Sequence, residues 1–340
     1  SYNILKIMNL LDKYCLRLGG TNKMISHGLL ICSFFMKKKY SRTEDEILAL
    51  NGSYEYDEVT YDNIFSLFSG FYDNYTELAD DEKLMKMFSI DRGSIKRDVR
   101  EDYVAESGII HSGSYGTESD ITNKTTKRVV YRRNQDDADI KQFHYMIYVP
   151  NDVEGNEIVK GMLMFETIGT FGVKTISVNN MKKFFSEKYG LTMETRSISV
   201  RIFIENLLKK DKLKRVTLIK NSVSRDPSDN MFLNIGREEK TYIKPTLKES
   251  WITKLLEHLD GRSSEDIFEI NDEVYEDIQL SFLHAGRTKT VRLNNIDKFS
   301  MVEDVPDYVF IDDRNGGQKL IEYMEQTANN YASKMIFVRN

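Results

Sequence analysis

The residue types that could do chemistry fall into three groups: paired acids, scattered histidines and clustered bases. Asp226 and Asp229, in Asp226-Pro-Ser-Asp229, lie three apart and closely follow Arg215–Lys220, which reads as a strand. Strand ends are where α/β sheets place functional groups, and two such acids, with Glu166 as a third, could share Mg²⁺ and activate water for phosphodiester cleavage. The spacing does not complete that pattern. Glu166 and Lys174 bracket a glycine loop rather than forming Glu-x-Lys. Turn chemistry competes for the same pair, with Asp226 opening a turn and Asp229 capping the next element.

The five histidines, at 27, 111, 144, 258 and 284, form no HxH, HExxH or Cys/His cluster. No histidine metal site is expected, and each reads as an ordinary surface or partly buried imidazole. His111 lies in Gly108-Ile-Ile-His-Ser-Gly-Ser-Tyr-Gly116, beside the hydroxyls of Ser112, Ser114 and Tyr115. Glycines let backbone N–H groups approach a phosphate. This stretch nonetheless lacks the Gly-Lys-Ser/Thr ending of a P-loop and the GxGxxG-before-helix arrangement of a dinucleotide site, so it is expected to form turns. No catalytic residue, metal ligand or cofactor is assigned.

Bases are the more persistent theme. Lys37–Lys39 form one local excess and Arg287, Lys289 and Arg292 another. The two densest groups are Lys124, Lys127, Arg128, Arg132 and Arg133, then Lys209, Lys210, Lys212 and Lys214 with Arg215. Phosphate is the natural partner of such groups, and Tyr131 and Phe143 stand near the first as stacking faces. The competing reading is a solvated charged surface. With 48 basic against 53 acidic residues the chain carries −5, which repels phosphate at long range, so contact with nucleic acid has to come from a local excess.

The elements that must position these residues are read from periodicity. Ile4 to Leu18 repeats at helical spacing before Gly19-Gly20; residues 28–36, Thr43–Leu50, Tyr61–Tyr72 and Asp80–Phe88 read as further short helices. Beyond about residue 105 strands dominate: Lys127–Arg132, a hairpin of Phe143–Val149 with Gly161–Ile168, then 191–200 and Arg215–Lys220. Helices are expected from an Asn179-Asn180 cap to Gly190, and over Val200–Lys210, Glu249–Leu259 and Gln318–Ala332. Asp277–Leu283 and Thr288–Leu293 form a second hairpin around His284-Ala-Gly-Arg287. A short strand, Met335–Val338, closes the chain.

The fold class expected is therefore α+β (mixed), an N-terminal helical lobe over residues 1–105 joined to a lobe over 106–340 with a mixed or antiparallel sheet and flanking helices. Cys15 and Cys32 both lie in apolar stretches, which suits buried thiols in a reducing compartment. The run from Gly28 to Met36 falls short of the ~20 apolar residues that span a membrane, and its charges follow it rather than precede it. The expectation is a cytoplasmic protein with no membrane partner, and the Lys-, Asn- and Ile-rich composition suggests a bacterial source.

Gly108–Gly116, Tyr131-Arg132-Arg133, Gly161-Met-Leu-Met-Phe-Glu-Thr-Ile-Gly169-Thr-Phe-Gly172-Val-Lys and Ser224-Arg-Asp226-Pro-Ser-Asp229 together resemble uncharacterised bacterial proteins of phage-defence and mobile-element islands. The resemblance covers about residues 105–300 and implies context only: no fold, activity, site residue or cofactor comes with it. The leading expectation is a component of such a system that contacts DNA or RNA, or a protein partner. A metal-dependent nuclease and a self-assembling structural subunit are the alternatives.

Overall fold

A computed structural model describes residues 26–40, 47–151, 155–198, 204–205, 208, 213–220, 237–259, 269–270, 273–275, 277–284, 287–293, 302–310, 317–335 and 337–338. The helix expected over residues 4–18, Cys15, the bases Lys209, Lys210 and Lys212, and the acids Asp226 and Asp229 all lie outside the described residues.

The helical lobe is overturned. Of the described residues 49% are strand and 24% helix, and a large curled antiparallel sheet dominates. Its long strands are β1 (His27–Lys38), β2 (Lys86–Val99) and β3 (Tyr103–Ser114). A separate two-stranded ribbon, β4 (Ser119–Thr122) with β5 (Val129–Arg133), precedes β6 (Lys141–Pro150), β7 (Gly161–Ile168) and β8 (Leu191–Ser197). The order across the sheet is β8-β1-β7-β6-β3-β2, with the short strand Ala79–Asp81 at the edge.

Why the first hundred residues mislead is visible in β1, whose apolar run is almost wholly buried. A strand covered on both faces loses the two-residue alternation that marks a half-exposed one, and a short continuous apolar run then has no period to separate it from a helix. Asp80–Phe88, expected as helix, is instead a hairpin closing β2 against Ala79–Asp81. Within the former lobe α1 (Ile64–Asn74) is helical as expected, capped by Asn63, whose side chain accepts from the N–H groups of Phe65 and Ser66. Residue 105, the expected boundary, falls inside β3.

Side chains alternate across a strand, so register assigns the faces. One face takes α1 and α2 (Lys174–Lys188): Phe34 meets Phe68 edge-on at 6.0 Å, and Phe68 meets Phe185 at 5.0 Å. The α2 helix starts after Val173, so Asn179 and Asn180 are interior to it rather than its cap. A second sheet comprises β9 (Leu213–Lys220), β10 (Glu238–Ile243), β11 (Asp277–His284) and β12 (Arg287–Arg292) in the order β10-β9-β11-β12, and α3 is Glu249–Leu259. Strand β13 (Val302–Val305) then returns to pair with the start of β1. Finally α4 (Gln318–Ala332) covers the other face of the main sheet, where the Tyr148 hydroxyl donates to Asn329 Oδ1 at 2.7 Å. Both hairpins expected from the sequence form, as do the helices Glu249–Leu259 and Gln318–Ala332. Of the closing strand, the described residues form one bridge, Val338 with Ile158.

Candidate nucleic-acid interface

The ribbon β4–β5 pairs with no other strand among the described residues. Ser119 faces Arg133, Asp120 faces Arg132, Ile121 faces Tyr131 and Thr122 faces Val129, with the register slipping between Ile121 and Thr122. The slip is a bulge, which bends and twists a strand pair. Its turn is fixed by Asn123: the side-chain oxygen accepts from the N–H groups of Thr125 and Thr126, and the backbone N–H donates to the Arg128 carbonyl at 2.9 Å. Lys127 takes the left-handed conformation, φ 59°, while its N–H donates to the Asn123 carbonyl. Lys124, Lys127 and Arg128 are thereby presented at the tip.

Every residue from 117 to 132 is exposed. The ribbon nevertheless has a firm base. The Arg133 guanidinium donates to the Asp137 carbonyl at 2.8 Å and to the Ser114 carbonyl, and Gly116 N–H reaches the Gln135 carbonyl at 2.6 Å. Asp137 also accepts from the Tyr131 hydroxyl at 2.6 Å and from Asn134 N–H, and these bonds hold its carboxyl below the usual carboxylate range. An ordered ribbon standing off the body with unburied Ile121, Val129, Val130 and Tyr131 on its flanks is the result.

The five bases expected here do different jobs. Arg132 is paired with Asp120 at 2.9 Å, and Arg133 is held at the base. Lys124, Lys127 and Arg128 carry no ion pair among the described residues. Lys214 lies apart, half-buried on β9 in the second sheet. Phe143 is 2% exposed and belongs to the core, so it offers no stacking face. Lys37 is tied to Glu194 at 3.1 Å.

Gly108–Gly116 is strand and strand end rather than a run of turns. A side chain at Gly113 would overlap the Asp139 backbone, so that glycine admits the chain leaving the ribbon, not an anion. His111 is carried on β3, and register places it on the same sheet face as His144, two pairs further along.

Topology assembles there a cluster that linear spacing hides. Glu166 on β7 is buried between two imidazoles: His27 Nδ1 lies 2.7 Å from Oε1 and His144 Nδ1 2.8 Å from Oε2, while His144 backbone N–H donates to Oε2 at 2.9 Å. Burial pushes the carboxyl up, but the bonds from the His144 and His27 rings and from the backbone outweigh it and hold the group down at about 2. Glu166 is therefore ionised at neutral pH, and each imidazole donates through Nδ1. Phe310 packs on the His27 ring at a centroid distance of 4.0 Å, and Gly317 lies against His144 Nε2, which is buried without a hydrogen-bond partner among the described residues. Glu166 thus engages both oxygens in contacts that link β1, β6 and β7, and His144 Nε2 is buried. Among the described residues no group of three or more His, Cys, Asp or Glu is placed to hold a metal ion.

Compared with family models and with curated proteins, the sequence matches none. No helix among the described residues is long and apolar enough to cross a membrane.

Proposed function

We propose that this protein contacts nucleic acid through the ribbon 117–133, acting as a binding component in the anti-phage defence or mobile-element setting that the resemblance implies. The observation that carries the reading is the tip, where Lys124, Lys127 and Arg128 stand exposed and without ion pairs among the described residues, on a ribbon anchored by Arg133 and Asp137. Unpaired bases can be given to phosphate without first breaking an internal contact, whereas Arg132 must leave Asp120.

Fluorescence anisotropy with unrelated labelled DNA and RNA oligonucleotides, single- and double-stranded, tests this reading. Binding that weakens steeply as salt rises is expected for a contact made to phosphate. No binding to any of the four at low salt contradicts it and leaves a protein partner or self-association as the function.

A further inference from the structure

We infer that the ribbon enters the major groove of duplex DNA; this rests on the nucleic-acid reading above. Three features narrow the ligand. The chain carries −5 overall, so contact with phosphate has to come from a local excess of base. A projecting tip supplies it. Four paired positions at about 3.3 Å each carry Lys124, Lys127 and Arg128 about 13 Å beyond the base, more than the roughly 8 Å over which charges are screened at physiological salt.

Shape is the second feature. The ribbon is two strands wide, with backbones about 4.8 Å apart, and a B-form major groove roughly 12 Å wide and about 8.5 Å deep admits such a pair. Ile121 and Tyr131, paired across the ribbon, and Val130 beside the slip in register give it apolar flanks at 50%, 49% and 63% exposure. Apolar side chains in this groove meet thymine methyl groups, which have no counterpart on the minor-groove edge.

The third feature favours duplex DNA over the competing ligands. Single strands are held by successive bases stacked on aromatic rings, and Tyr131 is the sole aromatic residue between 117 and 133, its hydroxyl already committed to Asp137. Duplex RNA has a major groove too deep and narrow for side chains to read.

The test compares affinities of the full chain for one sequence as duplex DNA, single-stranded DNA and duplex RNA. It then repeats the duplex with glucosylated 5-hydroxymethylcytosine at every cytosine, which fills the major groove, and with the minor groove saturated by netropsin. Duplex DNA should bind at least about ten-fold more tightly than either alternative, the glucosylated duplex should lose about ten-fold, and netropsin should change affinity by less than about two-fold. Equal or tighter binding to the single strand or the RNA overturns the inference and leaves the nucleic-acid reading standing. So does a netropsin effect larger than the glucosylation effect. Failure of every ligand to bind overturns both.

Discussion

The buried cluster at Glu166 and the exposed tip at Lys124, Lys127 and Arg128 are two concentrations of charge built on opposite rules. At Glu166 three donors converge on one carboxylate that is 2% exposed. At the tip three cations share a six-residue turn, exposed and without an ion pair among the described residues. Charge buried with partners fixes the register of β1, β6 and β7; charge exposed without partners leaves the fold indifferent and is available to an outside anion. The contrast sets the proposed contact at the tip apart from the histidines, the residue type that invites a catalytic reading.

Breaking the buried side should have the largest effect. Glu166→Ala leaves the Nδ1–H groups of His27 and His144 and the His144 N–H without an acceptor, and urea unfolding should show a loss of about 3–5 kcal/mol. A loss below about 1 kcal/mol would mean the cluster is wet and not structural.

Acid sharpens the same point. The Glu166 carboxyl titrates at about 2 in the fold against 4.5 for an ordinary glutamate. A depressed carboxyl contributes stability that is complete above pH of about 4.5 and is lost as pH falls through about 2, worth about 3 kcal/mol in total. Glu166→Gln should flatten the stability profile below pH of about 4.5. Wild type and variant falling in parallel would assign acid sensitivity to other groups.

A smaller loss is expected where the cluster meets its cover. Gly317 has φ 87°, and a Cβ there would overlap the His144 ring, so Gly317→Ala should lower stability by about 1–3 kcal/mol in thermal unfolding. An unchanged Tm would show that α4 does not seal His144. Smallest of all, replacing Lys124, Lys127 and Arg128 by alanine should alter unfolding free energy by no more than about 0.5 kcal/mol. A larger change would show that the tip supports the fold.

Legibility in the sequence followed the same division. The ribbon strand was readable because Val129 to Arg133 combines β-branched and aromatic residues with a polar turn beside it, and the hairpins of β6–β7 and β11–β12 announced themselves by alternation and glycine-bearing links. β1 was not readable, since burial on both faces erased its period. The cluster was invisible for a different reason: His27, His144 and Glu166 are joined only by the pairing of Leu29 with Glu166 and of Tyr145 with Phe165, contacts that no linear motif encodes. A usable signal did exist in retrospect. Glu166 is a lone acid within Gly161–Ile168, and an acid inside an otherwise apolar strand has to find donors on its neighbours.

The most direct test of the central claim is the salt dependence of duplex DNA binding, measured by anisotropy for wild type and for the variant with Lys124, Lys127 and Arg128 replaced by alanine. Each lost phosphate contact removes about 0.9 from the slope of log K against log salt, so the variant should bind more weakly and with a slope shallower by about 3. Equal affinity and equal slope in the two proteins would contradict the account and move any contact elsewhere on the chain.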